Sequence, residues 1–379
     1  MQTPSKPRRK SINLSLCAAL TIFAALATVA QAHAQHLIVF DAPGAGTGAY
    51  QGTQSAGINL RGEITGNVTD SNYGTHGFIR TPEGKFTEFD APGADPVAGC
   101  TCPEAINDFG VISGEYVDSN SIQHGFLRFP DGKFATFDAP GAGAAPGSYQ
   151  GTWLAVINNF GVVAGDYWDA NFNTHGYLRT PDGKITTFED PQAGSGTYQG
   201  TWPYGINDFG VIAGAVTDSG NGSHGFARTP NGHYINFDFP GFPSTPSNSA
   251  FVNDFGVIAG SYVAQDTGLN VGFERLPDGR MTTFQVPGIG ALANAGTNVM
   301  AMNLEGTTTG YYTDSNFENH SFVRLANGKA WTFSVPGQLA VPGSYLGSGG
   351  FSINAKGQVA GRWHDANYGA HAYLWLPED

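Results

Sequence analysis

Cysteine, positive charge and long apolar runs are all scarce in this chain. Of its three cysteines, Cys17 falls in an N-terminal apolar segment, which leaves a folded body only Cys100 and Cys102 in Gly99-Cys-Thr-Cys. Two cysteines exclude a disulfide-stapled framework, so the core has to be made by packed secondary structure. A local Cys100–Cys102 bridge, or two free thiols, is preferred over a soft-metal site because no neighbouring thiol or histidine completes a ligand set. Gly-x-Ser-x-Gly elbows, Walker loops, His-Glu-x-x-His helices and paired-cysteine zinc motifs are also missing, and with them the common motif-borne enzyme classes.

The first 34 residues read as a secretory leader. Lys6, Arg8, Arg9 and Lys10 precede an apolar run from about Leu14 to Ala30, and Ala32-His33-Ala34 offers small residues at the cleavage positions. Leu16 before Cys17 is too large for a lipoprotein site. Cleavage before Gln35 takes 4 of the 18 basic residues and none of the 31 acidic ones, which leaves a formal charge of −17. Such a surface opposes nonspecific binding to nucleic acid or anionic lipid. No second apolar stretch reaches bilayer length, which argues against a membrane span. The expectation is a bacterial secreted or periplasmic protein, monomeric, with residues 35–379 as one domain.

Against this background one pattern stands out. A block of about 49 residues recurs seven times, aligned on Asn59, Asn107, Asn158, Asn207, Asn253, Asn303 and Asn354. The fourth copy shows the plan: Thr201-Trp-Pro-Tyr-Gly-Ile-Asn207, then Val211-Ile-Ala-Gly-Ala-Val216, His224-Gly-Phe226 and His233-Tyr-Ile-Asn-Phe237. Asn231-Gly232 between two short alternating runs is a strong hairpin signal, because both turn positions tolerate positive φ. Each copy thus predicts four strands, and a period of this size with four strands per unit predicts an all-β, seven-bladed β-propeller with four-stranded blades. The strand-ending phenylalanines Phe89, Phe137, Phe188, Phe237, Phe284 and Phe333 number six. The seventh is supplied by Leu37-Ile-Val-Phe40-Asp-Ala-Pro43, which matches Phe89-Asp-Ala-Pro92, so the N-terminal strand is predicted to close the last blade and cover an open edge.

Strand order places the turns after the asparagines on one face and the Asp-x-Asn loops with the long Pro-Gly-rich crossing segments on the other. This longer-loop face is the expected ligand side. The repeated histidines His76, His124, His175, His224, His320 and His371 are read as a structural hydrogen bond between neighbouring strands, since six equivalent copies do not make one active site. Asp70/Asn72, Asp118/Asn120, Asp169/Asn171, Asp314/Asn316 and Asp365/Asn367 place oxygens at alternate positions. Turn closure is their first reading and calcium, the one cofactor they suggest, their second.

The crossing segments carry Tyr50, Tyr149 and Tyr198 before Gln-Gly-Thr, Trp153 and Trp202 after it, and Tyr204 and Tyr345 nearby. Aromatic faces beside amides and carboxylates suit a sugar ring, so these seven residues are the ligand-binding candidates. No catalytic residue is assigned. Carboxylates outside the repeat, Glu63, Glu115, Asp166, Glu274 and Glu305, are the material from which a glycosidase pair would have to come.

The units Gly205-Ile-Asn-Asp-Phe-Gly210, Val211-Ile-Ala-Gly214, His224-Gly-Phe226 and His371-Ala-Tyr373 resemble the bacterial extracellular repeat proteins named for a His-Ala-Phe (HAF) signature. The resemblance covers essentially all of residues 36–379, although Gly usually stands for the central Ala. It implies an exported β-propeller and no catalytic residues to carry over. The function expected is a noncatalytic binding or scaffolding module for polysaccharide. A glycan hydrolase or lyase is the alternative, and a protein-binding propeller the third reading.

Overall fold

The computed structural model describes residues 37–95, 99–239, 247–339, 341, 343–344 and 346–377. The leader, Tyr345 and the other residues lie outside that set. The fold is carried by the unit Ile38–Asp379. Twenty-eight strands and no helix occur among the described residues, and no helix there is long and apolar enough to cross a membrane.

The strands group into antiparallel meanders of four. Units one to six span residues 52–89, 101–137, 151–188, 200–237, 247–284 and 296–333. The strands Ser348–Ile353, Val359–His364 and Ala370–Trp375 make a seventh meander, and Leu37–Phe40 pairs with Ala370–Trp375 as its fourth member. Neighbouring units also touch through single parallel contacts such as Gln123↔Gly151 and Thr174↔Gly200, which merge the meanders into sheets of eight, twelve and eight strands. These contacts explain the repeated Gly-Thr. Gly52, Gly151, Gly200, Gly296 and Gly347 have φ between 112° and 140°, and a Cβ there would strike a carbonyl oxygen of the preceding unit's third strand.

The threonine after that glycine, or after Cys100 in unit two, latches the preceding unit. Thr101 Oγ1 accepts the Ala91 N–H at 3.1 Å and Thr152 Oγ1 that of Ala139 at 2.9 Å. Thr53 Oγ1 accepts the Ala42 N–H at 2.9 Å in the same way, so Leu37–Pro43 behaves toward unit one as the fourth strands of units one, two, three and five behave toward the unit that follows each.

A second seam lies deeper. The arginine ending each third strand rests on the fourth-strand phenylalanine of the preceding unit: Arg128 on Phe89 at 4.6 Å, Arg179 on Phe137 at 5.1 Å, Arg228 on Phe188 at 4.6 Å, and Arg80 on Phe40 at 4.5 Å. Trp375 replaces the arginine in the last unit and stacks on Phe333 at 6.1 Å. Each arginine pairing combines apolar burial with cation–π attraction, worth about 0.5–2 kcal/mol.

The asparagines form a complete circuit. Each Nδ2 donates to the carbonyl of the next, from Asn59 to Asn107 (3.2 Å), Asn158 (3.1 Å), Asn207 (3.0 Å), Asn253 (2.9 Å), Asn303 (3.5 Å), Asn354 (3.2 Å) and back to Asn59 (2.9 Å). All seven are nearly buried. In most, Oδ1 also accepts backbone N–H groups two and four residues on, closing the local turn, as for Val162 on Asn158.

Candidate functional site, an axial cavity with an aromatic mouth

The first strands of the units surround a cavity of about 510 Å³. In each unit the residue after the Val-Ile-Ala-Gly glycine occupies an equivalent place behind these strands: Asn67, Glu115, Asp166, Ala215, Ser261, Tyr311 and Arg362. The frame is constant and this position varies, so chemistry is set here unit by unit. Acids fall in units two and three, small residues in four and five, and a guanidinium in seven.

Glu104 and Glu115 line the cavity and act on one another's protonation, and the charge of Asp166, 4% exposed, acts on Glu115. Burial raises all three carboxyls, Asp166 to about 8; the negative charges of Glu104 and Asp166 push Glu115 up further. Arg362 opposes the rise at Glu104, but its Nη1 donates to Gln54 Oε1 at 2.6 Å and its guanidinium covers Phe351 at 4.0 Å. Glu115 Oε2 has no hydrogen-bond partner. The remaining wall carries the polar side chains Gln54, Ser55 and Asn67 and a larger apolar or aromatic part that includes Leu154, Val156, Tyr204, Phe251, Met300 and Phe351.

Of the expected carboxylates, Glu115 and Asp166 therefore come together. Glu63 instead pairs with Arg61 at 2.6 Å, Glu274 pairs with Arg324, and Glu305 is exposed in a turn. Glu104 and Arg362 were missed, because they are conspicuous only when each residue is compared with its equivalents in the other units.

The aromatic candidates divide. Tyr50, Tyr149 and Tyr198 are 65%, 51% and 56% exposed, and their N–H groups bond to the Asp-x-Asn loops at Tyr368, Ser121 and Phe172. Crossing segments and Asp-x-Asn loops therefore share one face, as expected. Trp153, Tyr198 and Trp202 converge on Trp168: Trp153 stacks on it at 4.8 Å, Tyr198 meets it edge-on at 5.6 Å and Trp202 at 6.5 Å, with Phe172 at 6.1 Å. The Trp153 indole donates to the Tyr149 carbonyl at 3.1 Å, whereas the Trp168 indole N–H has no partner. Tyr50 stands apart with Tyr368 at 6.0 Å, Tyr204 lines the cavity, and Tyr345 lies outside the described residues. Trp202 and Tyr204 lie on one strand, Gly200–Ile206, whose register shifts between Pro203 and Gly205; Trp202 belongs to the aromatic cluster and Tyr204 to the cavity wall. Trp168 and Phe172 were not anticipated; a tryptophan where other units carry Thr, Val or His was the available signal.

The Asp-x-Asn loops close as Asx turns. Asp70 Oδ1 accepts from Asn72 and Gly74 N–H groups at 2.8 Å, and Asp118, Asp169, Asp314 and Asp365 repeat this toward Asn120, Asn171, Asn316 and Asn367. The other oxygen, Oδ2, faces a repeat histidine. Each histidine thus stands between two strands and a loop: His124 Nδ1 is 2.7 Å from Asp138 and Nε2 3.6 Å from Asp118. The same arrangement joins His371 to Asp41 at 2.9 Å and Asp365 at 3.6 Å. Cys100 and Cys102 hold their sulfurs within bonding distance, with Cys102 on the cavity wall.

No family model and no curated protein matches the chain. Solved structures do. A prolyl endopeptidase superposes with a TM-score of 0.51 at 11% identity, over 95% of this chain and 54% of its own. Pyrococcus horikoshii acylaminoacyl peptidase gives 0.53 at 12% identity, over 85% and 51%. Aleuria aurantia lectin, in complex with Fucalpha1-6GlcNAc, gives 0.43 at 11% identity, over 88% and 94%. The chain spans about half the length of either peptidase. Likeness at such identity concerns architecture alone, and the architecture is an all-β, propeller-type fold.

Proposed function

We propose that this chain is an exported, noncatalytic binding propeller of the His-Ala-Phe repeat kind, with seven four-stranded blades closed by Leu37–Phe40, and that its ligand is an extracellular polysaccharide. The asparagine circuit, the seven aromatic seams and the Thr53 latch support the blade count and the closure. The ligand class rests on one observation: Trp153, Tyr198 and Trp202 converge on Trp168 on the face that carries the crossing segments. Apolar sugar faces stack on such rings.

A glycan array followed by calorimetry on Trp153→Ala and Trp202→Ala tests the reading. Each substitution is expected to weaken the selected oligosaccharide at least about tenfold, the equivalent of 1.4 kcal/mol, with no new reducing ends in the mixture. Release of reducing or unsaturated ends would instead make the protein a hydrolase or lyase, and a silent array would move the ligand to a protein.

A further inference from the structure

The axial cavity is built unlike a place for a neutral sugar alone. Two carboxyl groups, Glu104 and Glu115, line it with Asp166 close beside, and the charges acting on Glu115 are those of Glu104 and Asp166. Arg362 is engaged with Gln54 and acts on Glu104 from the seventh unit. Such a carboxyl cluster, with Glu115 Oε2 unpartnered, holds either protons or a cation.

The rest of the wall selects which kind. A bare divalent metal such as calcium collects six or more oxygen ligands; beside the two carboxyls the cavity offers the amides of Gln54 and Asn67 and the Ser55 hydroxyl, of which Gln54 Oε1 already accepts from Arg362 and the Ser55 hydroxyl is spent on the Gly361 carbonyl, and around them stand Tyr204, Phe251, Phe351 and Met300. Aromatic faces beside a carboxylate suit an organic ammonium group, which is drawn to both and gives up less hydration than a small metal ion. The volume of about 510 Å³ has room for a sugar residue. We propose that the cavity lined by Glu104 and Glu115 receives the ammonium group of an amino-sugar residue, whose chain rests on the Trp153–Trp168–Trp202 cluster. This assignment deepens the polysaccharide reading and rests on it for the sugar, though not for the ammonium.

Proton exchange follows from the pairing. The groups facing the site are Glu104, Glu115 and Asp166, the phenols of Tyr177 and Tyr204, and Arg362. In the empty cavity burial favours protonated carboxyls. An arriving ammonium keeps its proton and displaces one from the carboxyl cluster, leaving a carboxylate–ammonium pair. Affinity for the cation therefore rises with pH across the range in which the carboxyls would otherwise be protonated.

The test uses the full exported protein with four probes: a β-1,4 glucosamine hexamer, its N-acetylated counterpart, n-butylamine and calcium chloride. Calorimetry in two buffers of different ionisation enthalpy should show proton release with the glucosamine hexamer, and affinity tightening between about pH 5.5 and pH 7. The free amine should bind at least about tenfold tighter than the N-acetylated hexamer, a preference that Glu115→Gln removes; if that variant fails to fold, Glu104→Gln serves. n-Butylamine should raise the melting temperature of the parent and not of the variant, a result that upholds the ammonium site even if neither hexamer binds and the polysaccharide reading falls. Equal affinities for the two hexamers with no response to n-butylamine would overturn the ammonium site and leave the polysaccharide reading standing. Calcium reproducing the n-butylamine shift would overturn it as well.

Discussion

Asn158 shows how much one side chain does in this architecture. It is 5% exposed, donates through Nδ2 to the Asn207 carbonyl at 3.0 Å, and accepts through Oδ1 from the Phe160 and Val162 N–H groups at 3.1 and 2.9 Å. It therefore closes its own turn and ties two units with one planar amide. Asn158→Ala is expected to cost about 1–3 kcal/mol, because buried partners lose their bonds with no water to replace them. Asn158→Asp separates the two roles. The carboxylate still accepts from the turn but faces the Asn207 carbonyl without a donor, so the loss should be at least as large near neutral pH. It should shrink in acid, where the protonated carboxyl regains an O–H donor. Urea melts of both variants across pH check this, and an Asp variant as stable as the parent at neutral pH would deny the inter-unit bond. The asparagine itself was plain in the repeat. Its acceptor was not, because a periodic sequence gives equivalent positions without saying which of them touch.

At the scale of the strand and its loop, the Asp–His–carboxylate arrangement is the recurring device. It connects a second-to-third-strand loop, the third strand and the end of the fourth, the tie between strands that the repeated histidine suggested. Hydrogen-bonded carboxylates raise the pKa of His124, His175 and His371, and in His224 the two carboxylates outweigh a burial effect of opposite sign. A histidine raised in the folded state contributes stability that is complete below its ordinary value near 6.5 and is lost as pH rises through the folded value. Thermal melts should therefore show the histidine contribution at about pH 6 and its decline toward pH 8, and His124→Gln should flatten that part of the profile. A parent–variant difference that stays constant over the window would mean that the imidazole is neutral throughout. The fifth unit explains why the device is dispensable: Val271 takes the histidine position opposite Tyr262, and Tyr262 stacks on Phe239 at 4.5 Å instead. Strands, turns and loop faces were legible from hairpin glycines and period-2 runs, because local chemistry decides them. The cavity was not, since Glu104 and Arg362 belong to units two and seven and meet only when the units are arranged side by side.

At the scale of the whole molecule, the N-terminal strand carries the largest structural demand. Phe40 is half-buried, meets Phe86 at 5.9 Å and lies under Arg80 at 4.5 Å. Asp41 reaches His371, Ala42 reaches Thr53, and the backbone of Leu37–Phe40 pairs with Ala370–Trp375. The match of Phe40-Asp-Ala-Pro43 to Phe89-Asp-Ala-Pro92 made this segment readable from sequence as a displaced fourth strand. The arginine seam that repeats on Phe40 came only with the structure. Phe40→Ala should cost on the order of 1–2 kcal/mol, less than the roughly 1.5–3 kcal/mol of a fully buried phenylalanine. Deleting residues 35–43 should cost more, because it also strips hydrogen bonds from Ala370–Trp375, leaves Thr53 and His371 without their partners and bares an edge for association. Moving residues 35–43 behind Asp379 through a short linker should recover most of that loss, since the strand returns to the same edge from the other end of the chain. Denaturant melts with light scattering on the three proteins decide the matter. A deletion as stable and as monodisperse as the parent would show that this strand closes nothing, and a relocated strand that fails to recover stability would show that its contacts depend on entering from the N-terminal side.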